Sequence, residues 1–177
     1  MKAIHKLYED DKYLIQKKAH ERSITHMLAI HLKSHFSNHD IDCEYDLDIE
    51  NNTGKKQITM LKNKLKEFKS GIYKQTLNNL NEFGDIIVPV NFYPDIIIHR
   101  RGSNDLNTLI VELKKSTNTN EKSIEFDRLK LKAYTKQGLK YRLGAYVNLS
   151  VSDGFEKDKT EITFYKKGKE QKIKFLD

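Results

Sequence analysis

The sequence predicts a mixed α/β fold: a mixed central sheet flanked by helices, in one domain spanning residues 1–177. Three observations carry that expectation. Apolar residues recur at helical spacing in 20–36 and 122–137. They alternate or run continuously in short stretches at 41–49, 86–90, 96–98, 109–113 and 141–151. Helical and extended stretches are interleaved along the chain, which excludes an all-helical bundle. A chain of 177 residues closes one hydrophobic core and is short for two domains.

Segment 20–36 places Ile24, Leu28, Leu32 and Phe36 on one stripe, and at about 100° per residue Glu21 projects onto the middle of it. In 41–49 the residues Ile41, Cys43, Tyr45, Leu47 and Ile49 face one way. Asp42, Glu44, Asp46 and Asp48 face the other, as in a half-buried strand. An exposed strand face is the simpler account of that acidic comb, with Glu44 the candidate exception. After the Asn-Asn-Thr-Gly turn the period changes. Ile58, Leu61, Leu65 and Phe68, then Ile72, Leu77, Leu80 and Phe83, predict a helical insertion over 55–83, two short helices broken near Ser70-Gly71.

Pro89 and Pro94 restrict the run Ile86 to Val90 to an edge or irregular strand, whereas Ile96 to Ile98 reads as central. The turn-rich Arg101 to Asn107 makes 95–101 and 108–115 a hairpin. Segment 122–137 is helical with Phe126, Leu129, Ala133 and Gln137 along one side. Tyr141 to Val151 is a further strand, and 160–176 a hairpin turning at Lys167-Gly168.

Thirty-two Lys plus Arg against 25 Asp plus Glu leave +7, which suits a polyanionic partner, nucleic acid being the commonest. The lone Cys43 excludes an internal disulfide framework and a multi-cysteine zinc site. Charges interrupt the first residues every few positions, so they form no secretory signal, and no apolar run is long enough for a membrane span. The expected location is cytoplasmic.

The chemistry concentrates at the hairpin. Side chains alternate along a strand, so Glu112 and Lys114 emerge on the same face as Ile110, and antiparallel pairing sets Asp95 directly or diagonally across from them. Singly, Asp95 is a strand-entry acid after proline, and Glu112 with Lys114 a cross-strand ion pair. Together they form two repelling carboxylates that need a counter-charge. A hard divalent ion suits them, with the Leu113 carbonyl as a third oxygen and Glu21 as a further ligand. Such an ion polarises a phosphodiester oxygen and lowers the pKa of bound water, while Lys114 orients that water or offsets developing charge. His99 shares strand parity with Asp95 and is either near the site or a satisfied strand histidine.

Pro94-Asp95, sixteen residues, then Glu112-Leu113-Lys114 resembles the motif of the PD-(D/E)xK nuclease superfamily, the restriction-endonuclease-like fold. That resemblance implies a core of helix, three strands, helix and strand over about residues 18 to 151, with 55–83 inserted. It places Glu21, Asp95, Glu112 and Lys114 as the catalytic set, with Asp95, Glu112, Leu113 and Glu21 around magnesium or manganese. Asp127 to Tyr134 resembles the second helix of that superfamily, so Lys130 and Tyr134 are expected on phosphates. Arg100, Arg101 and Lys115, with the lysines of the insertion, would form a basic rim gripping DNA. The expected activity is an endonuclease. The alternative is a catalytically idle module of the same fold that binds nucleic acid or a protein partner. Cutting both strands needs two sites, which a homodimer through the insertion would supply.

Overall fold

The computed structural model describes residues 1–48, 54–61, 79–80, 86–136, 139–152 and 159–171. Its centre is a six-stranded sheet of β1 (Asp40–Cys43), β5 (Ile96–His99), β6 (Leu109–Lys115), β7 (Leu143–Leu149), β8 (Glu161–Lys166) and β9 (Lys169–Gln171), in that spatial order. Every neighbouring pair is antiparallel except β6 and β7. That parallel pair requires a crossover, supplied by α4 (Glu121–Lys136). A second sheet sets β4 (Ile86–Asn91) between β2 (Gln57–Leu61) and β3 (Asn79–Leu80).

Strand alternation divides the core. Ile96, Val111, Leu113, Ala145 and Val147 face α1 (Lys2–Asp10), α2 (Lys12–Gln16) and α3 (Glu21–Lys33), meeting Leu7, Ile15, Ile24 and Leu28. Ile97, Ile110 and Tyr146 face α4, meeting Phe126, Leu131 and Tyr134, and Ile58, Met60 and Val90 of the small sheet join that layer. Buried on both faces, β5 has Ile96, Ile97 and Ile98 all at 0 % exposure, as the continuous apolar run predicts for a central strand. Burial of each such side chain contributes about 1.5–3 kcal/mol.

The hairpin of β5 and β6, the α4 helix, β7, and the turn at Lys167-Gly168 match the sequence reading. In that turn both residues have positive φ, 51° and 75°, the geometry that suits the twist of a two-residue hairpin. Other expectations are corrected. Residues 57–61 form a strand, not a helix: Ile58 and Met60 are buried with Thr59 exposed between them, a period of two that the Ile58–Leu61 spacing concealed. Leu80 also lies in a strand, and residues 62–78 and 81–83 of the expected insertion fall outside the described residues. β4 is the middle strand of its sheet, yet Pro89 is accommodated, because its pairing is with Thr59 of β2 while β3 meets β4 at Ile86 and Ile87.

The predicted strand 41–49 stops at Cys43, since Glu44 takes φ 50° and its N–H turns to the Pro94 carbonyl at 3.0 Å. Its expected faces fail too: Leu47 is 55 % exposed and Asp48 is buried, while Ile49 falls outside the described residues. α3 ends at Lys33, short of Phe36. In α4 the buried face is Phe126, Asp127, Lys130, Leu131, Tyr134 and Thr135, rotated from the Phe126-Leu129-Ala133 stripe, whose Leu129 and Ala133 pack at its margin. No helix among the described residues is long and apolar enough to cross a membrane.

Candidate active site

Ile96 pairs with Val111, so the residue before it, Asp95, stands opposite Glu112. Asp95 shares its strand face with Ile97, and Glu112 and Lys114 share theirs with Ile110, both isoleucines being in the α4-side core. The Leu113 N–H donates to Asp95 Oδ2 at 2.7 Å, which fixes the carboxylate against β6. Turning away from β1 at Glu44 leaves that end of β5 open. A cleft of about 420 Å³ forms there, lined by His20, Glu21, Thr25, Cys43, Glu44 and Asp95 among others.

Behind Asp95 the charges form a chain. Glu112 is 1 % exposed, and its Oε2 accepts from Lys130 Nζ at 2.7 Å. Lys130 also pairs with Asp127 Oδ1 at 2.8 Å. Asp127 Oδ2 lies 2.9 Å from Lys114 Nζ, an ion pair without hydrogen-bond geometry at that oxygen. Lys114 in turn donates to Glu21 Oε1 at 3.1 Å and to the Leu113 carbonyl at 3.3 Å. Glu21 Oε2 accepts from the Lys115 N–H at 3.3 Å. Glu21 opens α3 at a side-chain exposure of 27 %, so it reaches round the end of the sheet to Lys114 instead of lying under the helix.

Burial pushes the Asp95 carboxyl above its ordinary range, against the Leu113 N–H and the two lysines, which lower it. Burial raises Glu112 well above its ordinary value, with Lys130 opposing and the nearby Asp95 and Asp127 adding to the rise. For Lys114 and Lys130 burial alone would lower the pKa; the carboxylates outweigh it and hold both ammoniums charged, Asp127 with Asp95 and Glu21 for Lys114, Glu112 with Asp127 for Lys130. Burial, with Asp95, Asp42 and Glu44 beside it, pushes the Cys43 thiol up to about 11, which removes it as a nucleophile at neutral pH.

The structure brings Asp95, Glu112, Lys114 and Glu21 to one locus and adds Asp127 and Lys130. The sequence reading gave Asp127 no role in the site and expected Lys130 on phosphates. The available signal was the i, i+3 pair of opposite charges on a face shared with Phe126 and Tyr134. The residues expected on phosphates are buried or engaged within the fold. Lys130 and Tyr134 are buried. Lys115 spends its Nζ on the carbonyls of Lys18 and Ala19, at 3.1 and 3.0 Å.

Arg100 and Arg101 lie at the other end of β5 from Asp95, about 15 Å along the strand. Arg101 is engaged by both oxygens of Asp42, which also takes His99 Nε2 at 2.8 Å, so His99 is a satisfied strand histidine remote from the carboxylate pair. Of the insertion lysines, Lys56 is buried at 1 % exposure, Lys55 pairs with Asp46 at 3.2 Å, and those from Lys62 to Lys74 fall outside the described residues.

Among the described residues no three His, Cys, Asp or Glu side chains converge closely enough to hold a metal ion. The fold instead supplies the two facing carboxylates, with Glu112 Oε1 buried and lacking a hydrogen-bond partner among those residues. When ionised, Glu21, Asp95, Glu112 and Asp127 carry four negative charges against the two ammoniums of Lys114 and Lys130, a deficit of two. Magnesium or manganese needs few protein oxygens and keeps waters, so Asp95 and Glu112 are the two residues that could hold a divalent ion here. Of the further ligands expected, the Leu113 carbonyl accepts from Lys114, and the two Glu21 oxygens accept from Lys114 and the Lys115 N–H. No family model matches this chain, and neither a curated protein nor a solved structure matches it.

Proposed function

We propose that the chain is a divalent-metal-dependent phosphodiesterase of the PD-(D/E)xK nuclease type, hydrolysing DNA. One observation carries the reading: Asp95 and Glu112 face each other across antiparallel strands on one sheet face, with Lys114 and Glu21 at the same locus. The succession α3, β1, β5, β6, α4, β7 supports a restriction-endonuclease-like core, with β2 to β4 as the inserted part of a single domain.

Asp95 and Glu112 would hold magnesium or manganese, which when bound polarises a phosphodiester oxygen and acidifies a water. Leu113 contributes by fixing Asp95 through its N–H. Lys114 is held charged between Glu21 and Asp127, so it offsets negative charge developing on the phosphate and does not act as a base. Glu21 positions Lys114. The cleft beside Asp95 gives a strand its approach.

Purified protein incubated with plasmid, single-stranded DNA or RNA and magnesium or manganese, beside Asp95→Ala and Lys114→Ala, tests this. Cutting by wild type with loss in both variants is expected. Equal cutting by all three proteins, or none by wild type on any substrate, overturns it. Lys130 on Glu112 Oε2 favours a second reading, an idle module that keeps the fold and binds nucleic acid or a protein partner. That module would give no heat of manganese binding that Glu112→Gln abolishes.

A further inference from the structure

At the far end of β5 from Asp95 lies a separate cavity of about 320 Å³, within the range of small-molecule sites. Its wall holds two charged side chains with almost no solvent contact. Lys56 is 1 % exposed; its ammonium donates to the Leu47 carbonyl at 2.6 Å, lies 5.2 Å from the centre of the Tyr45 ring, and makes no ion pair among the described residues. An ammonium has three hydrogens, so Lys56 keeps donor capacity. Asp48 is 7 % exposed and is oriented by Asn104 Nδ2, which donates to its Oδ1 at 2.8 Å. One small cavity is therefore lined by a buried donor, a carboxylate acceptor and an amide that keeps one further N–H and one further lone pair, since its Nδ2 donates to Asp48 and its Oδ1 accepts from Asn107 Nδ2 at 3.4 Å.

Its other surfaces are flat or open. The Tyr45 ring is held edge-on to His99 at 4.8 Å. Leu47 is 55 % exposed and belongs to neither core cluster of the described residues. Gly54 and Gly102 line the cavity at positive φ with nothing within 4 Å of where a Cβ would stand, so backbone approaches the space directly. Arg100, exposed and in no ion pair among the described residues, also lines it. Such a combination does not suit a bare anion, because Asp48 and the neighbouring Asp42 and Asp46 balance the lysine. It suits a planar ring with donor and acceptor on one edge and a phosphate outside.

We propose that this cavity is a nucleobase pocket, with Lys56, Asp48 and Asn104 reading the base edge, Tyr45 and Leu47 against its faces, and Arg100 on the attached phosphate. Unpaired bases are recognised in this way, by stacking and edge contacts. The base comes from a free nucleotide or from an unpaired position in a strand, and the pocket does not depend on the proposed hydrolysis.

The test uses the full chain carrying Asp95→Ala, so that no substrate is consumed. Each of the four ribonucleoside and four deoxyribonucleoside 5′-monophosphates is titrated while the amide resonances of Tyr45, Lys56 and Asn104 are followed by NMR. A short single-stranded oligonucleotide and its abasic counterpart follow. Saturable shifts at those amides are expected with at least one monophosphate, about tenfold weaker in Asn104→Leu through loss of matched polar contacts. Arg100→Ala should weaken the monophosphate but not its nucleoside. Tighter binding of the oligonucleotide than of its abasic form assigns the base to a strand; binding of monophosphates alone assigns it to a free nucleotide. Unshifted amides with every probe, or Asn104→Leu binding as wild type does, overturn the proposal.

Discussion

Lys130→Met isolates the buried charge network. Lys130 Nζ contacts Glu112 Oε2 at 2.7 Å and Asp127 Oδ1 at 2.8 Å, with Glu112 at 1 % exposure. Met preserves most of the stem that packs near Phe92 and Phe126. Asp127 retains Lys114, but Glu112 is left with no counter-charge in contact. Breaking a buried pair from one side costs about 3–5 kcal/mol, a large share of the 5–15 kcal/mol typical of a domain. Replacing both partners, as Lys130→Met with Glu112→Leu, removes the isolated charge and should recover most of the loss.

The cost has a pH signature. Burial raises the Glu112 carboxyl above its usual 4.5 in the folded state, so the folded chain binds that proton more tightly than the unfolded chain. The stability this confers is present below pH about 4.5 and is lost as pH rises through the folded pKa. Without Lys130 the folded pKa rises further, so the penalty of the single variant grows as pH rises through the wild-type folded pKa and shrinks in acid. Urea unfolding of wild type, both single variants and the double variant at pH 7 and pH 4.5 measures the cycle. A loss below about 1 kcal/mol at pH 7, the range of exposed pairs, or a double variant no more stable than Lys130→Met, refutes the reasoning.

Two further outcomes follow from local geometry. Gly168→Ala puts a side chain at φ 75° with its Cβ 3.0 Å from Lys136 Cβ, and should cost about 1–2 kcal/mol in urea unfolding; an unchanged midpoint counts against the turn. With its thiol raised from 9.0 to about 11, Cys43 presents about 100-fold less thiolate than the ordinary thiol. Iodoacetamide should label it correspondingly slowly at pH 7.5, and labelling at the rate of free cysteine would refute its burial beside Asp95.

Strand alternation and hairpin pairing are local properties, so the sequence by itself determined that Asp95, Glu112 and Lys114 share a face, and that Ile96 to Ile98 forms a central strand. Only the tertiary structure decided how those charges are balanced. Docking α4 on that face buried Asp127 and Lys130, residues that a hydrophobic stripe does not count, and the same docking rotated the helix away from the Leu129-Ala133 side. Likewise 57–61 has apolar residues compatible with either period, and pairing with β4 made it a strand. At Glu44 a left-handed residue ended β1, opening the cleft beside Asp95 and carrying Tyr45, Asp48 and Lys56 to the other end of β5. Periodicity reports which residues avoid water; which buried charges meet depends on contacts between residues distant in the chain.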